Sequence, residues 1–160
     1  MKFINAPWRW EFISKTKPEG CIFCQAQKSD DEQGLILFRG EKFFVILNKY
    51  PYTSGHLMIA PYAHLGSLDQ MAADESVELW SLLTRSLAVL KKKLHPDGFN
   101  IGLNIGQAAG AGIRDHFHFH LVPRWQGDAN FISIIGDARV LSYDVAATYR
   151  TIRDGFNCHE

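Results

Sequence analysis

The sequence predicts an α+β domain with a mainly antiparallel five-stranded sheet and one long helix. Short apolar runs separated by turn residues lie on both sides of a single stretch with helical spacing. The order is strands, helix, strands, without the regular alternation that builds a parallel sheet. The chain has 160 residues and a mass of 18.1 kDa, which at roughly 100 to 200 residues per domain is enough for one. That domain spans residues 1–160, with a core over about 20–125, an N-terminal arm at 1–19 and a C-terminal extension at 126–160.

The arm Asn5-Ala6-Pro7-Trp8-Arg9-Trp10 is aromatic and broken by proline, so it reads as packed but irregular. Lys28 to Gly34 is a polar, acidic loop. Leu35–Phe38 and Phe43–Leu47 flank the turn Arg39-Gly40-Glu41-Lys42, which predicts a β-hairpin. Asn48 to Gly55 forms a loop into a third strand, His56–Ala60, closed by Pro61. Leu79, Leu83, Leu87, Leu90 and Leu94 then recur every three or four residues, which is a helical period. Asp74 is placed to cap that helix, and Lys91, Lys92 and Lys93 complement its negative end as a solvated terminus. His95-Pro96-Asp97-Gly98 breaks it. A fourth strand is expected over Phe99–Ile105, and a fifth over His116–Val122, ended by Pro123. Asp144 to Phe156 reads as a short helix, and no repeat or low-complexity segment is present.

Lys plus Arg (17) balances Asp plus Glu (17), so no global basic field draws the chain to nucleic acid or a membrane surface. An anionic ligand must therefore be held locally. No apolar run approaches the roughly 18 residues of a membrane span. Met1 to Ser14 carries Lys2, Arg9 and Glu11 without a small-residue cleavage site, so the expectation is a soluble, cytoplasmic protein. Three cysteines, with Cys158 expected to be an idle tail thiol, do not make a secreted disulfide framework.

The most informative stretch is His116-Phe117-His118-Phe119-His120. Side chains alternate faces along a strand, so the three imidazoles share one side while Phe117, Phe119 and Leu121 enter the core. Same-face neighbours stand about 6.5 to 7 Å apart, wide for three ligands on one ion. A row of imidazoles that do chemistry is the better reading.

This motif, His-x-His-x-His followed by two apolar residues, resembles the signature of the histidine-triad proteins, which are nucleotidyl transferases and hydrolases. The resemblance extends through Asn48, Ser54-Gly55-His56, Asn104 and Pro123-Arg124-Trp125, and covers roughly Pro7 to Val140. Within the family, Ala6-Pro7-Trp8-Arg9 and Gly127-Asp128-Ala129-Asn130-Phe131 look most like the bacterial branch of diadenosine tetraphosphate phosphorylases and their hydrolase relatives. It implies the histidine-triad fold and a homodimer joined into one continuous sheet, with Trp80 a candidate contact. It also implies that His118 attacks the α-phosphorus of a dinucleoside polyphosphate, that His120 and His56 orient it and bind phosphate oxygens, that Asn48 meets the ribose and that Asn104 faces the phosphates.

The loop Gly106-Gln107-Ala108-Ala109-Gly110-Ala111-Gly112 lacks the P-loop lysine, yet its small residues admit close approach of backbone N–H groups to phosphate. Gln107 and Gly110 are the candidate contacts, and a plain connector is the alternative. Where many relatives carry polar side chains that assist the leaving group, this chain has Gly112-Ile113, which leaves Gln107, Arg114 and Arg124 as candidate donors.

Cys21-x-x-Cys24 is compatible with zinc, redox chemistry or simple burial. With His64 and His116 it would make a tetrahedral structural zinc set, and the resemblance favours that set, because several triad proteins bind zinc through such a pair, a histidine after the His56-type strand and the first triad histidine. Hydrolysis of nucleoside phosphoramidates and nucleotide binding without turnover are the competing functions. Trp8, Trp10 and Trp125 are expected in core or interface rather than stacked on a base, and His95 and His159 at the surface.

Overall fold

Apolar residues at every position of the second predicted strand, and at every position of the third after His56, rather than at alternate ones, call for a sheet covered on both faces. The computed structural model, which describes residues 20–128 and 144–157, has such a sheet. In chain order the elements are α1 (Ile22–Ala26), β1 (Ile36–Arg39), β2 (Phe43–Leu47), β3 (Leu57–Pro61), a 3-10 turn (Leu68–Gln70), α2 (Glu75–Leu94), β4 (Gly98–Leu103), β5 (Phe119–Arg124) and α3 (Val145–Asn157). The strands form one sheet of order β1-β2-β3-β5-β4, antiparallel at every pairing.

One face carries Phe43, Val45, Leu47, Leu57, Ile59 and Leu121 against Leu79, Leu82, Leu83 and Leu90 of α2 and Tyr149, Ile152 and Phe156 of α3. The opposite face carries Phe44, Ile46, Met58 and Ala60 against Phe23 of α1. Both sets are drawn from single strands in strict alternation, which is why β2 and β3 are buried throughout.

Several boundaries differ from the sequence expectation. The fifth strand begins at Phe119 and runs through Pro123, which sits opposite Phe99. Proline is tolerated there because β3 pairs with β5 only as far as Leu121, so the missing N–H faces no ladder. The Pro123 carbonyl instead accepts from Thr53 Oγ1 at 2.7 Å. His116, Phe117 and His118 precede the strand, and Phe117 N–H donates to Leu65 O. Face alternation nevertheless persists, with Phe117 buried in the helix-side core. The fourth strand stops at Leu103, the partner of Phe119, so Asn104 and Ile105 lie beyond it.

Asp74 starts α2 but makes no side-chain cap, because its backbone is already helical (φ −69, ψ −26). Glu75 Oε2 accepts from Ala72 N–H instead. At the other end His95 takes a left-handed conformation, and Pro96 then ends the helix.

The five-residue α1 has no signature in the sequence, since it is too short to show a period. Tertiary bonds hold it: Arg39 Nη1 and Nη2 donate to Gln27 O and Ser29 O, both at 3.0 Å, and Gln27 Nε2 donates to Tyr62 O at 3.3 Å. The tail helix is present as α3, secured by Tyr149 Oη to Ile36 O at 3.0 Å and by Arg153 on Asp31 at 2.7 Å. The N-terminal arm, Ala129-Asn130-Phe131, Cys158 and His159 lie outside the described residues.

Candidate functional site

Gly55 turns the chain into β3 with φ +81, and a Cβ there would stand 2.4 Å from Leu94 Cδ1. The next residue, His56, is fully buried. Its Nδ1 accepts the Tyr52 backbone N–H at 3.2 Å. A backbone N–H can only donate, so the proton of a neutral His56 belongs on Nε2. That nitrogen lies 2.9 Å from His120 Nδ1, which therefore accepts, and the His120 proton is left on Nε2.

His118 is 5% exposed. Its Nδ1 lies 3.0 Å from the His116 carbonyl, an obligate acceptor, so Nδ1 carries the proton and Nε2 keeps its lone pair. The His118 and His120 rings meet edge to face at 4.7 Å. Burial pushes the His118 imidazole below the ordinary histidine range, opposed by its bond to the His116 carbonyl. Burial pushes His120 down to about 4, helped by charge on His118. The pair is thus a neutral imidazole with a bare nitrogen beside a second neutral imidazole that presents an N–H.

On the far side of His116 stands a second group. Cys21, Cys24, His64 and His116 bring their ligand atoms within 4.8 Å of one another. His116 Nδ1 lies 3.2 Å from Cys21 Sγ and 3.6 Å from Cys24 Sγ, and His64 Nδ1 lies 3.3 Å from Cys24 Sγ. Tetrahedral zinc, with bonds of about 2.3 Å to sulfur and 2.0 to 2.1 Å to nitrogen, sets such donors roughly 3.3 to 3.8 Å apart. His116 Nε2 faces the Pro61 carbonyl at 2.8 Å, which assigns its proton there and turns the Nδ1 lone pair toward the thiols, as metal-bound histidines require. The residues present fit a closed, four-donor structural site. The group ties together α1, the loop after β3 and the approach to β5.

Asn48 is placed inside its own loop: Oδ1 accepts from Tyr50 N–H at 2.9 Å and Nδ2 lies 3.2 Å from His56 Nδ1. Gly110 has φ +81, and a Cβ there would stand 3.9 Å from Asn104 Nδ2, so Asn104 faces the glycine-rich loop. Gln107 in that loop is exposed. Arg124 is committed elsewhere, to Asp128 at 2.6 and 2.7 Å and to Asn100 Oδ1 at 2.7 Å. Arg114 is exposed.

Two participants escaped sequence reading. The Tyr52 N–H that sets the His56 tautomer is a backbone group, invisible in residue types. Phe23, between the two cysteines, packs on both His116 and His118. Its only signal was an aromatic residue inside a C-x-x-C motif.

The HIT domain family model matches residues 30–127. A protein named AP-4-A phosphorylase from Mycobacterium tuberculosis is 42% identical over 130 residues, covering 81% of this chain and 67% of that protein. A Zn-bound histidine triad family protein from Mycobacterium smegmatis superposes with a TM-score of 0.67 at 27% identity, covering 86% of this chain and 94% of that one. A hypothetical histidine triad nucleotide-binding protein from Sulfolobus tokodaii gives 0.68 at 26% identity, covering 86% and 92%.

Proposed function

The chain belongs to the HIT domain family, and from that premise we propose that it is an enzyme that splits a dinucleoside polyphosphate, diadenosine tetraphosphate in the first instance, through a nucleotidyl-His118 intermediate. The observation that carries the reading is the 3.0 Å contact of His118 Nδ1 with the His116 carbonyl, because it places the ring proton on Nδ1 and leaves Nε2 with a bare lone pair.

His118 Nε2 attacks the α-phosphorus, and the bond from that phosphorus to its bridging oxygen breaks. His120 Nε2–H donates a hydrogen bond to the departing oxygen, so ATP leaves as its anion and adenylyl-His118 remains. His56 orients His120 through the 2.9 Å bond. Inorganic phosphate or water then attacks the same phosphorus and frees His118 with its Nε2 lone pair restored, giving ADP or AMP, the proton of an attacking water passing to solvent. The glycine-rich loop, Gly110 and Gln107 included, lies against phosphate oxygens with Asn104, and Asn48 borders the ribose. Arg124, committed to Asp128 and Asn100, is set aside as the leaving-group donor.

Cys21, Cys24, His64 and His116 would hold a zinc ion. A zinc ion there would supply a structural cross-link near the His116 backbone carbonyl, and four protein donors would leave no open position for substrate.

The reading includes a homodimer. β4 is the sheet edge, with Ile101 48% and Ile105 44% exposed, and α2 exposes Val77 at 73% and Trp80 at 69%. Ile101 pairs with Leu121 and so shares the α2 face of the sheet. Among the described residues no helix is long and apolar enough to cross a membrane; a cytoplasmic protein remains part of the proposal.

The test is incubation with diadenosine tetraphosphate, with and without inorganic phosphate, followed by ion-exchange separation. ADP plus ATP only with phosphate marks a phosphorylase, and AMP plus ATP in both marks a hydrolase. No turnover in either sinks the substrate assignment.

A further inference from the structure

The imidazole of His118 has one hydrogen bond among the described residues, from Nδ1 to the His116 carbonyl, and one such bond leaves a ring free to swing about its axis. Two rings limit that freedom. His120 stands on one side at 4.7 Å and 76°. Phe23 stands against it at 4.7 Å and 42°. Phe23 is itself fully buried, touches the His116 ring at 5.1 Å, and has its own orientation set edge to face by Phe44 at 6.4 Å.

Phe23 sits on α1 between Cys21 and Cys24. A helix of this length has no stability of its own. Its C-terminal end is held by Arg39 and Gln27. Its N-terminal end lacks a side-chain cap at Cys21 and is held through the two thiols facing His64 and His116. Whatever fixes those thiols fixes the aromatic ring between them.

We propose that Phe23 is a positioning residue for the His118 ring, set in place by the turn of α1 that carries two of the four metal-binding side chains. The inference rests on the reading of His118 as nucleophile, and adds that the metal group acts on catalysis through this one aromatic contact as well as through the backbone. Attack requires the lone pair to lie about 3 to 3.5 Å from phosphorus and in line, and a displacement of about 1 Å costs on the order of 100-fold in rate.

The experiment compares zinc-loaded wild-type protein with Phe23→Leu, Phe23→Met and a control, Phe43→Leu. Phe43 is equally buried but lies on the helix side of the sheet. The Phe23 variants are expected to lose about 10- to 30-fold in kcat with KM within about twofold. The control, with a comparable fall in Tm, should keep kcat within about twofold. A second readout needs no turnover. In loaded wild-type protein the His118 ring should give one sharp NMR cross-peak, which doubles or broadens on chelation and is already doubled in the loaded Phe23 variants.

A single sharp peak in the loaded Phe23 variants, or a wild-type peak indifferent to chelation, overturns the proposal. So does an equal kcat loss in the control. If the NMR pattern appears as expected while wild-type protein forms no nucleotidyl adduct, the positioning role stands and the nucleophile assignment is what fails.

Discussion

Replacing His56 by asparagine or by glutamine separates two roles that one ring performs. Asparagine places an acceptor where Nδ1 stands and can still receive the Tyr52 N–H, but it is too short to reach His120. Glutamine places a donor near Nε2 and can still bond His120 Nδ1, but it abandons the Tyr52 N–H. In the wild type these bonds measure 3.2 and 2.9 Å. Losing the part-buried bond from the Tyr52 N–H to His56 Nδ1 costs about 0.5 to 1.5 kcal/mol, so glutamine should be the less stable variant. Its kcat should fall about tenfold. Asparagine frees the His120 ring, and loss of an oriented proton donor is worth about 100-fold or more, near 2.7 kcal/mol of barrier. The two orders are opposite, and that opposition is the test. Thermal unfolding ranks stability, and steady-state nucleotide release ranks kcat. If asparagine proves both more stable and more active than glutamine, the hydrogen-bond relay from His56 to His120 is wrong and His56 is a structural residue.

Three further outcomes follow from the geometry. Cys24→Ser should remove stoichiometric zinc, measured by atomic absorption, and lower stability by roughly 3 to 5 kcal/mol, near 10 °C in Tm; retention of one zinc per chain contradicts the donor set. The His120 imidazole, held down to about 4 by burial and the His118 charge, takes up a proton more readily in the unfolded chain, so stability present above about pH 6.5 is lost as pH falls toward 4. Allowing for solvent screening of a partly exposed ring, the loss is about 1 to 2 kcal/mol, visible as a lower urea midpoint and flattened in His120→Asn; a midpoint equally pH-sensitive in that variant contradicts it. Trp80→Glu combined with Ile101→Glu should shift the scattering mass from twice 18.1 kDa to 18.1 kDa, and a wild type already at the lower mass disposes of the dimer.

Much of the fold was legible because its determinants are local. The hairpin, the leucine period of α2 and the alternation around the triad each occupy one short window, and each element is found there. The misplaced boundaries have non-local causes. Pro123 lies within β5 because β3 ends two residues earlier on that side, a fact about a strand far away in sequence. Asp74 fails to cap because the turn before it is already helical. The helix α1 exists only through Arg39, Tyr62 and the side chains around His116. At the site, residue types announced the three imidazoles and the cysteine pair, and the structure groups them as two adjacent clusters joined at His116. What residue types could not announce is the tautomer order, since it depends on the Tyr52 N–H and the carbonyls of His116 and Pro61.

The most direct measurement is a rapid acid-free quench of a single turnover with diadenosine tetraphosphate labelled at an α-phosphate. The account predicts labelled wild-type protein that carries one adenylyl group on His118, is discharged by phosphate or water, and is absent in His118→Ala while that variant still binds nucleotide. Complete conversion of substrate in one turnover with no label on the protein at any time contradicts the covalent path.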